Sequence, residues 1–516
     1  MFALRTKEMD FKEKGATYML SELSSFIQIT IDILSGIMVF LFLGAAITAI
    51  YMYIADKIQT EQAIRHNYPL IGRFRYFFEE LGTFFRQYFF AFDREELPFN
   101  RADRSWVYRA AKNVDTTLAF GSTRSLTSVG TVLFANCTFP TLSTDAVEPG
   151  SATIGPFCRH PFTTKSFFNI SAMSYGSISR PAILALSNGA HTAGCWLNTG
   201  EGGLSPYHLE GGCDIVFQIG TAKYGARELD GSLSDTKLKE LSNIPQIRMF
   251  ELKLSQGAKP GKGGILPAKK VNPEIASIRG IPVWHDSISP NRHTDINSNQ
   301  DLLKILDHIR EVTGKPVGFK LVIGNQEWIE EFCLDIIEFG IEKAPDFITI
   351  DSADGGSGAA PQPLMDYVGL VIRESLPIVT DALIKHNLKE RIKIIASGKL
   401  ITPSDVAWAL ATGADFVQTA RGFMFALGCI QALQCNKDTC PTGVTTHNKR
   451  LQKGLDPLKK AVRVANYHMN MTHDVGMIAH SCGVAEPRML TREHVRIVNE
   501  KGISIPYTEY LKENKL

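Results

Sequence analysis

From Lys165 onward, short apolar runs alternate with longer stretches in which apolar residues recur every three or four positions. Short apolar or period-two runs read as strands, and the longer period reads as amphipathic helix. Eight strands are predicted, at SFFNISAM, CWLNTG, DIVFQIG, IRMFELKL, PVGFKLVI, DFITIDSA, RIKIIASG and ADFVQTA. Helices are predicted between them over Arg180 to Thr192, Asn299 to Thr313, Ile329 to Phe339 and Pro403 to Thr412. Eight strands interleaved with helices predict an α/β fold, a (β/α)8 TIM barrel. A doubly wound open sheet is the alternative arrangement of the same pattern.

A different pattern runs from Ile33 to Ala55, ILSGIMVFLFLGAAITAIYMYIA, 23 residues without a charge. At about 1.5 Å per residue such a helix spans a bilayer core of about 30 Å. A cleaved signal peptide or a buried core helix would also contain an apolar run, but this one continues past the small-residue AAITA through Ile50, Tyr51 and Met52. An uncleaved transmembrane helix is therefore expected. Lys57, Arg65, Arg73 and Arg75 follow it and Lys12 and Lys14 precede it, so the positive-inside tendency places the larger C-terminal part in the cytoplasm. Just beyond, RFRYFFEELGTFFRQYFFAF packs aromatics around Arg73, Arg75 and Arg86. It reads as an amphipathic helix at the membrane surface or as a helix packed on the main domain.

Composition narrows the possibilities. With 516 residues, 44% of them hydrophobic, the chain can bury a large core, and a formal net charge of +2 without basic runs gives no nucleic-acid footprint. Six cysteines, Cys137, Cys158, Cys195, Cys213, Cys333 and Cys482, are scattered, as in a reducing compartment. The other three, Cys429, Cys435 and Cys440, stand within twelve residues in GCIQALQCNKDTCPTG. A structural zinc takes four ligands and a disulfide two, so an odd trio closed by Cys-Pro points toward iron and sulfur, although spacing alone does not decide.

The polar, glycine-rich patches SAMSYGS, NTGEGG, KLSQGAKPGKGG, DSADGGSGAA and ASGK all lie at or just beyond the ends of predicted strands. In a barrel that is the face where active sites form. DGGSGAA lets backbone amides approach an anionic or flat ligand, and ASGK and GADFVQTARG follow the seventh and eighth strands, where barrels commonly hold phosphate. Lys253, Gln256 and Lys259 suit a dicarboxylate or a developing negative charge, and Glu201 is a lone carboxylate among glycines, suited to moving a proton or holding ammonium. Singly, each also fits an ordinary turn or a solvated loop.

Taken together and in order, SAMSYGSIS, NTGEGG, KLSQGAKPGKGG, GGSGAAP and GCIQALQCNKDTCPTGV resemble the synthase domain of glutamate synthase, most closely its compact single-domain type. RADRSWVYRAAKNVDTTLAFGS resembles the leader of those compact members, and the likeness covers roughly Arg101 to Arg488. The resemblance implies FMN in a (β/α)8 barrel with a three-iron, four-sulfur (3Fe-4S) cluster held by Cys429, Cys435 and Cys440. It places Ala172, Met173 and Ser174 at the flavin ring, Lys320 near its N1 and O2 edge, and Gly355, Gly356, Ser397, Gly398, Ala420 and Arg421 at the ribityl phosphate. Gln256, Lys259 and Arg279 fall on the 2-oxoglutarate side, with Glu201 and Lys259 as catalytic groups. The implied reaction condenses 2-oxoglutarate with ammonia to 2-iminoglutarate, which reduced FMN converts to L-glutamate with electrons arriving through the cluster.

The apolar and polar patterning together with the resemblance gives a segmentation: an N-terminal tail (1–32), the transmembrane helix (33–55), a juxtamembrane amphipathic segment (56–99), an N-terminal extension (100–164), the FMN-binding barrel with its iron-sulfur segment (165–488) and a C-terminal tail (489–516). Full-length members open with a glutaminase domain, whereas this chain opens MFALRTKEMD, so free ammonia, a separate glutaminase or another amine is expected. No G-x-G-x-x-G turn opens a helix, so electrons are expected from ferredoxin, an NADPH-dependent reductase subunit or a quinone. Ile265 stands where the large enzymes have glutamine, and Ser352 and Ala353 also depart from relatives, which touches substrate choice more than FMN binding. Two other readings are an enzyme making an N-substituted glutamate and a non-catalytic electron-transfer subunit.

Overall fold

The computed structural model describes residues 2–514, with side chains from residue 17 onward, and the chain forms two compact units, Met1–Glu96 and Leu97–Leu516. The first unit begins with helix α1 (Phe2–Ile58). The charge-free run from 33 to 55 is only part of this helix, because Leu23, Phe26, Ile27 and Ile31 continue the apolar surface upstream. Thr17–Ile58 is long and apolar enough to cross a membrane, and its apolar side chains, Phe40 and Phe42 among them, are exposed.

At the end of α1 the fully buried Asp56 gathers the next turns. Its carboxylate accepts from Arg65 Nε at 2.9 Å, Arg73 Nε and Nη2 at 2.8 Å each, and the Leu70 backbone N–H at 3.1 Å. Arg65 belongs to helix α2 (Ala63–Asn67) and Arg73 to helix α3 (Ile71–Phe85), so one carboxylate ties three helices together. α3 leaves Phe74, Phe77 and Phe78 exposed and passes into a π-helical turn, Arg86–Phe90.

In the second unit helix α4 (Arg101–Ala111) leads to a closed barrel of eight parallel strands: β1 (Phe168–Ile170), β2 (Leu197–Asn198), β3 (Ile215–Ile219), β4 (Ile247–Lys253), β5 (Val317–Leu321), β6 (Phe347–Asp351), β7 (Lys393–Ser397) and β8 (Phe416–Thr419). Each lies in one of the predicted runs, and the ring closes through β8 on β1 and β4 on β5. The open sheet is thereby set aside. Helix α5 (Arg180–Ala193) follows β1 and packs against the long helix Pro457–Ser481.

Alternation along the strands builds the barrel interior in layers. Met249 of β4 and Phe347 of β6 join Val216, Ile395 and Phe416 in an apolar plug, closed by Ile154 and Phe162 of a small hairpin that short-strand patterns do not reveal. Two residues further along, Glu251 accepts from Asn198 Nδ2 (2.8 Å), Gln218 Nε2 (2.7 Å) and Thr349 Oγ1 (2.6 Å). A buried carboxylate is tolerated here because neutral donors from three other strands satisfy it. The next step, Lys253 and Asp351, reaches the barrel mouth.

Candidate active site

A cavity of about 270 Å³ opens at the C-terminal ends of the strands. It gathers the expected residues of every loop: Ala172, Met173 and Ser174 after β1, Glu201 after β2, Gln256, Lys259 and Arg279 after β4, and Lys320 on β5. Gly355 and Gly356 follow β6, Ser397 and Gly398 close β7, and Ala420 and Arg421 follow β8. Cys429 and Cys435 reach the same wall, while Cys440 lies behind them. Lys253, expected to suit an anion, lines it too, and so do Gln218, Asp351 and Lys399, which no sequence motif singles out.

The lining carries six cations, Lys253, Lys259, Arg279, Lys320, Lys399 and Arg421, against the carboxylates of Glu201 and Asp351. Such an excess inside a concave site attracts anions. Lys320 is not a lone cation: its Nζ lies 3.2 Å from Asp351 Oδ2, which also accepts from the Gly257 N–H at 2.9 Å. Burial would raise the Asp351 carboxyl, but Lys320 and that N–H hold it below its ordinary value.

The Glu201 corner is the most densely charged. Its Oε1 lies 2.9 Å from Lys253 Nζ, which also donates to Gln256 Oε1. Burial alone would raise the Glu201 carboxyl, but Lys253 and then Lys259 outweigh it, so it stays ionised below the usual range. Gly264 lets the loop close on this carboxylate, since a Cβ there would stand 2.6 Å from Oε1. Lys259 is 3% exposed, and desolvation, only partly opposed by Glu201, brings its amine down to about 8. Arg279 is also buried. Its Nη1 donates to Ser287 Oγ at 3.0 Å, its Nη2 to the Tyr175 carbonyl at 3.4 Å, and its Nε has no partner among the described residues. An ionised carboxylate, a buried amine titrating near neutrality and a guanidinium with an unused donor can bind an anion and move a proton beside it.

On the opposite side Gly356 lies against the Arg421 guanidinium; a Cβ would fall 1.3 Å from Nη2. Arg421 also stacks over Phe99, 5.2 Å from the ring centre. A bare backbone pressed on a guanidinium is an arrangement that can cradle a phosphate.

Cys429, Cys435 and Cys440 line one small cavity beneath the main one. Burial pushes the Cys429 thiol up to about 12, so a thiolate there requires a compensating cation. Among the described residues no group of three His, Cys, Asp or Glu side chains is arranged for a single metal ion. Thiolates of a multinuclear cluster bind different irons and stand further apart, so the trio suits a cluster better than a lone ion. The Thr445 hydroxyl lines both cavities beside the Cys435 and Cys440 sulfurs, where it could donate to a sulfide. The loop is held from outside by Tyr108, whose hydroxyl donates to the Cys429 carbonyl at 2.6 Å.

Comparison with known proteins gives these observations a context. A family described as a conserved region in glutamate synthase matches residues 139–485. A glutamate synthase large subunit-like protein of Bacillus subtilis, YerD, is 40% identical over 491 residues, covering 88% of this chain and 93% of its own. An archaeal-type NADPH glutamate synthase of Thermotoga maritima is 35% identical over 61% of this chain, and an archaeal NADPH glutamate synthase of Methanocaldococcus jannaschii is 34% identical over 65%. The chain spans 58% and 63% of the length of these two relatives.

Proposed function

The chain belongs to the glutamate synthase family, and from that premise we propose that it is an FMN-dependent oxidoreductase that reductively aminates 2-oxoglutarate to L-glutamate, supplied with electrons through a 3Fe-4S cluster. The observation that carries this reading is the cationic cavity in which Glu201 is kept ionised beside Lys253, with the cysteine trio directly behind the wall. Two dianions, a flavin phosphate and a dicarboxylate, would balance the excess charge.

In this reading Arg279 and Lys259 bind the carboxylates of 2-oxoglutarate, and Gln256, held by Lys253, orients it. Glu201 holds ammonium and takes its proton, freeing the amine to attack the keto carbon and expel water as 2-iminoglutarate forms. Bound FMN would supply the hydride that the imine carbon accepts, replenished one electron at a time through the cluster. Ala172, Met173, Ser174 and Lys320 would face its ring, with Gly355, Gly356, Ser397, Gly398, Ala420 and Arg421 at its phosphate end. Cys429, Cys435 and Cys440 would ligate the cluster. Gly264 lets the loop approach Glu201 closely.

The amine is free ammonia or comes from a separate glutaminase, and the electron donor is ferredoxin, an NADPH-dependent reductase subunit or a quinone. α1 anchors the protein as a single-pass membrane span with the barrel unit on the cytoplasmic side, a reading supported by the exposed apolar surface of Thr17–Ile58 and by Lys57, Arg65, Arg73 and Arg75 beyond it. A second reading, an enzyme that makes an N-substituted glutamate, is favoured by Ile265, which gives the cavity an apolar wall where an alkyl group on the amine would fit.

The deciding experiment adds 2-oxoglutarate and ammonium to the chemically reduced holoprotein without oxygen. Flavin reoxidation with stoichiometric glutamate is expected. Reoxidation with methylammonium alone would favour the second reading, and bound cofactors without turnover would reduce the protein to an electron-transfer subunit.

A further inference from the structure

Lys270 is 2% exposed, lies in the turn Ala268–Lys270 that leaves the glycine-rich loop after β4, and forms no ion pair within 4.0 Å among the described residues. Its Nζ donates to two backbone carbonyls, Ser177 and Cys435, each at 3.1 Å. An ammonium has three N–H donors and is expensive to bury against neutral acceptors alone. The carboxylate felt there is that of Asp438, which is turned to the His447 N–H at 2.7 Å. As thiolates, Cys435 and Cys440 are the other negative groups within reach of Lys270.

The two carbonyls belong to different parts of the proposed electron path. Ser177 is on the loop that carries Ala172 to Ser174, and Cys435 is the middle thiol of the trio. We propose that Lys270 is a positioning residue for electron delivery: its buried ammonium staples the β1 loop to the cysteine loop and is a countercharge that raises the reduction potential of the iron-sulfur group. This rests on the cluster assignment above. Adding an electron to a thiolate-bound cluster adds one negative charge, and a fixed cation at its edge stabilises that reduced state. No proton moves, and no bond forms or breaks.

The test uses full-length holoprotein prepared without oxygen, with Lys270→Met and Lys270→Arg, and follows cluster reduction by electron paramagnetic resonance during a redox titration. Lys270→Met should hold a smaller reduced fraction at a given ambient potential, about tenfold smaller, equivalent to about 59 mV for one electron. Lys270→Arg should stay near the wild type, because the charge is kept. If Lys270→Met loses part of its iron, the remaining clusters are titrated, and a wild-type potential in them overturns the inference. Iron-free wild-type protein would instead overturn the cluster assignment, and this inference with it.

Discussion

The Glu201 carboxylate reaches over β3 to pair with Lys253, 2.9 Å away, although one residue follows β2 and the other ends β4. The crossing is possible because Gly220, at the end of β3, has no side chain; a Cβ there would stand 2.5 Å from Glu201 Cβ. Lys253 therefore fixes both the charge and the position of the carboxylate. Replacing Glu201 by Gln keeps the shape and an acceptor for Lys253, and should leave cofactor content near wild type while lowering kcat by about 10²–10⁴-fold, as loss of a general acid or base does. Lys253→Met should behave differently. It strands a largely buried carboxylate and should destabilise the barrel unit by about 3–5 kcal/mol, seen as an earlier unfolding midpoint in denaturant.

Lys259 sets the expected pH dependence. Its amine is depressed by burial to about 8, so it is charged below that pH and neutral above it. Affinity for the dianionic 2-oxo acid should be full below about pH 8 and fall as pH rises through it. The stability contribution has the opposite course: between about 8 and the ordinary lysine value of 10.5 the unfolded chain binds more protons, so stability rises with pH across that window. Titrating 2-oxoglutarate into the oxidised protein from pH 6.5 to 9.5 checks the first part. Affinity independent of pH would remove Lys259 from the binding set, and Lys259→Arg should flatten the curve.

The barrel was legible in the sequence because parallel strands buried on both faces appear as contiguous apolar runs, as in FITID and KIIAS. The hairpins that plug its base and mouth have strands of two or three residues, too short for any period to show. The same limit applied to the site. Glu201, Lys259 and the glycines stand in loops and announce themselves by composition, whereas Lys253 and Asp351 are the last residues of strands. Only the alternation Met249, Glu251, Lys253 and Phe347, Thr349, Asp351 shows that they share the inner face. In AKK nothing local marks the burial of Lys270.

The Gly356 backbone and the Arg421 guanidinium occupy each other's only space. Gly356→Ala places a Cβ where Nη2 now lies, so Arg421 must move away from Phe99 or the loop after β6 must lift. Either displaces the cation from the proposed phosphate end. The purified variant should carry FMN at well under half the wild-type ratio of flavin absorbance to protein, with the same iron-to-protein ratio as the wild type. Full FMN occupancy would mean that the phosphate lies elsewhere in the cavity.

Ile265 lines the cavity one residue beyond Gly264, the glycine that closes on Glu201. It is half-buried at the wall where substrate would meet the carboxylate, and it offers no donor. Installing glutamine there adds an amide that can bond a substrate carboxylate oxygen, a neutral-to-charged hydrogen bond of about 1.5–3 kcal/mol, or about 10-fold or more in affinity. The side chain is of similar length, so the loop should close as before. If the substrate is 2-oxoglutarate with ammonia, Ile265→Gln should lower its KM by about that factor and leave kcat within about twofold. If the apolar wall instead receives an alkyl group on the amine, the same change should raise KM for methylammonium and leave KM for 2-oxoglutarate unmoved. Steady-state rates with both amines, measured with a common artificial reductant, separate these outcomes, because the substitution touches neither the cationic set around Lys259 and Arg279 nor the cysteine loop.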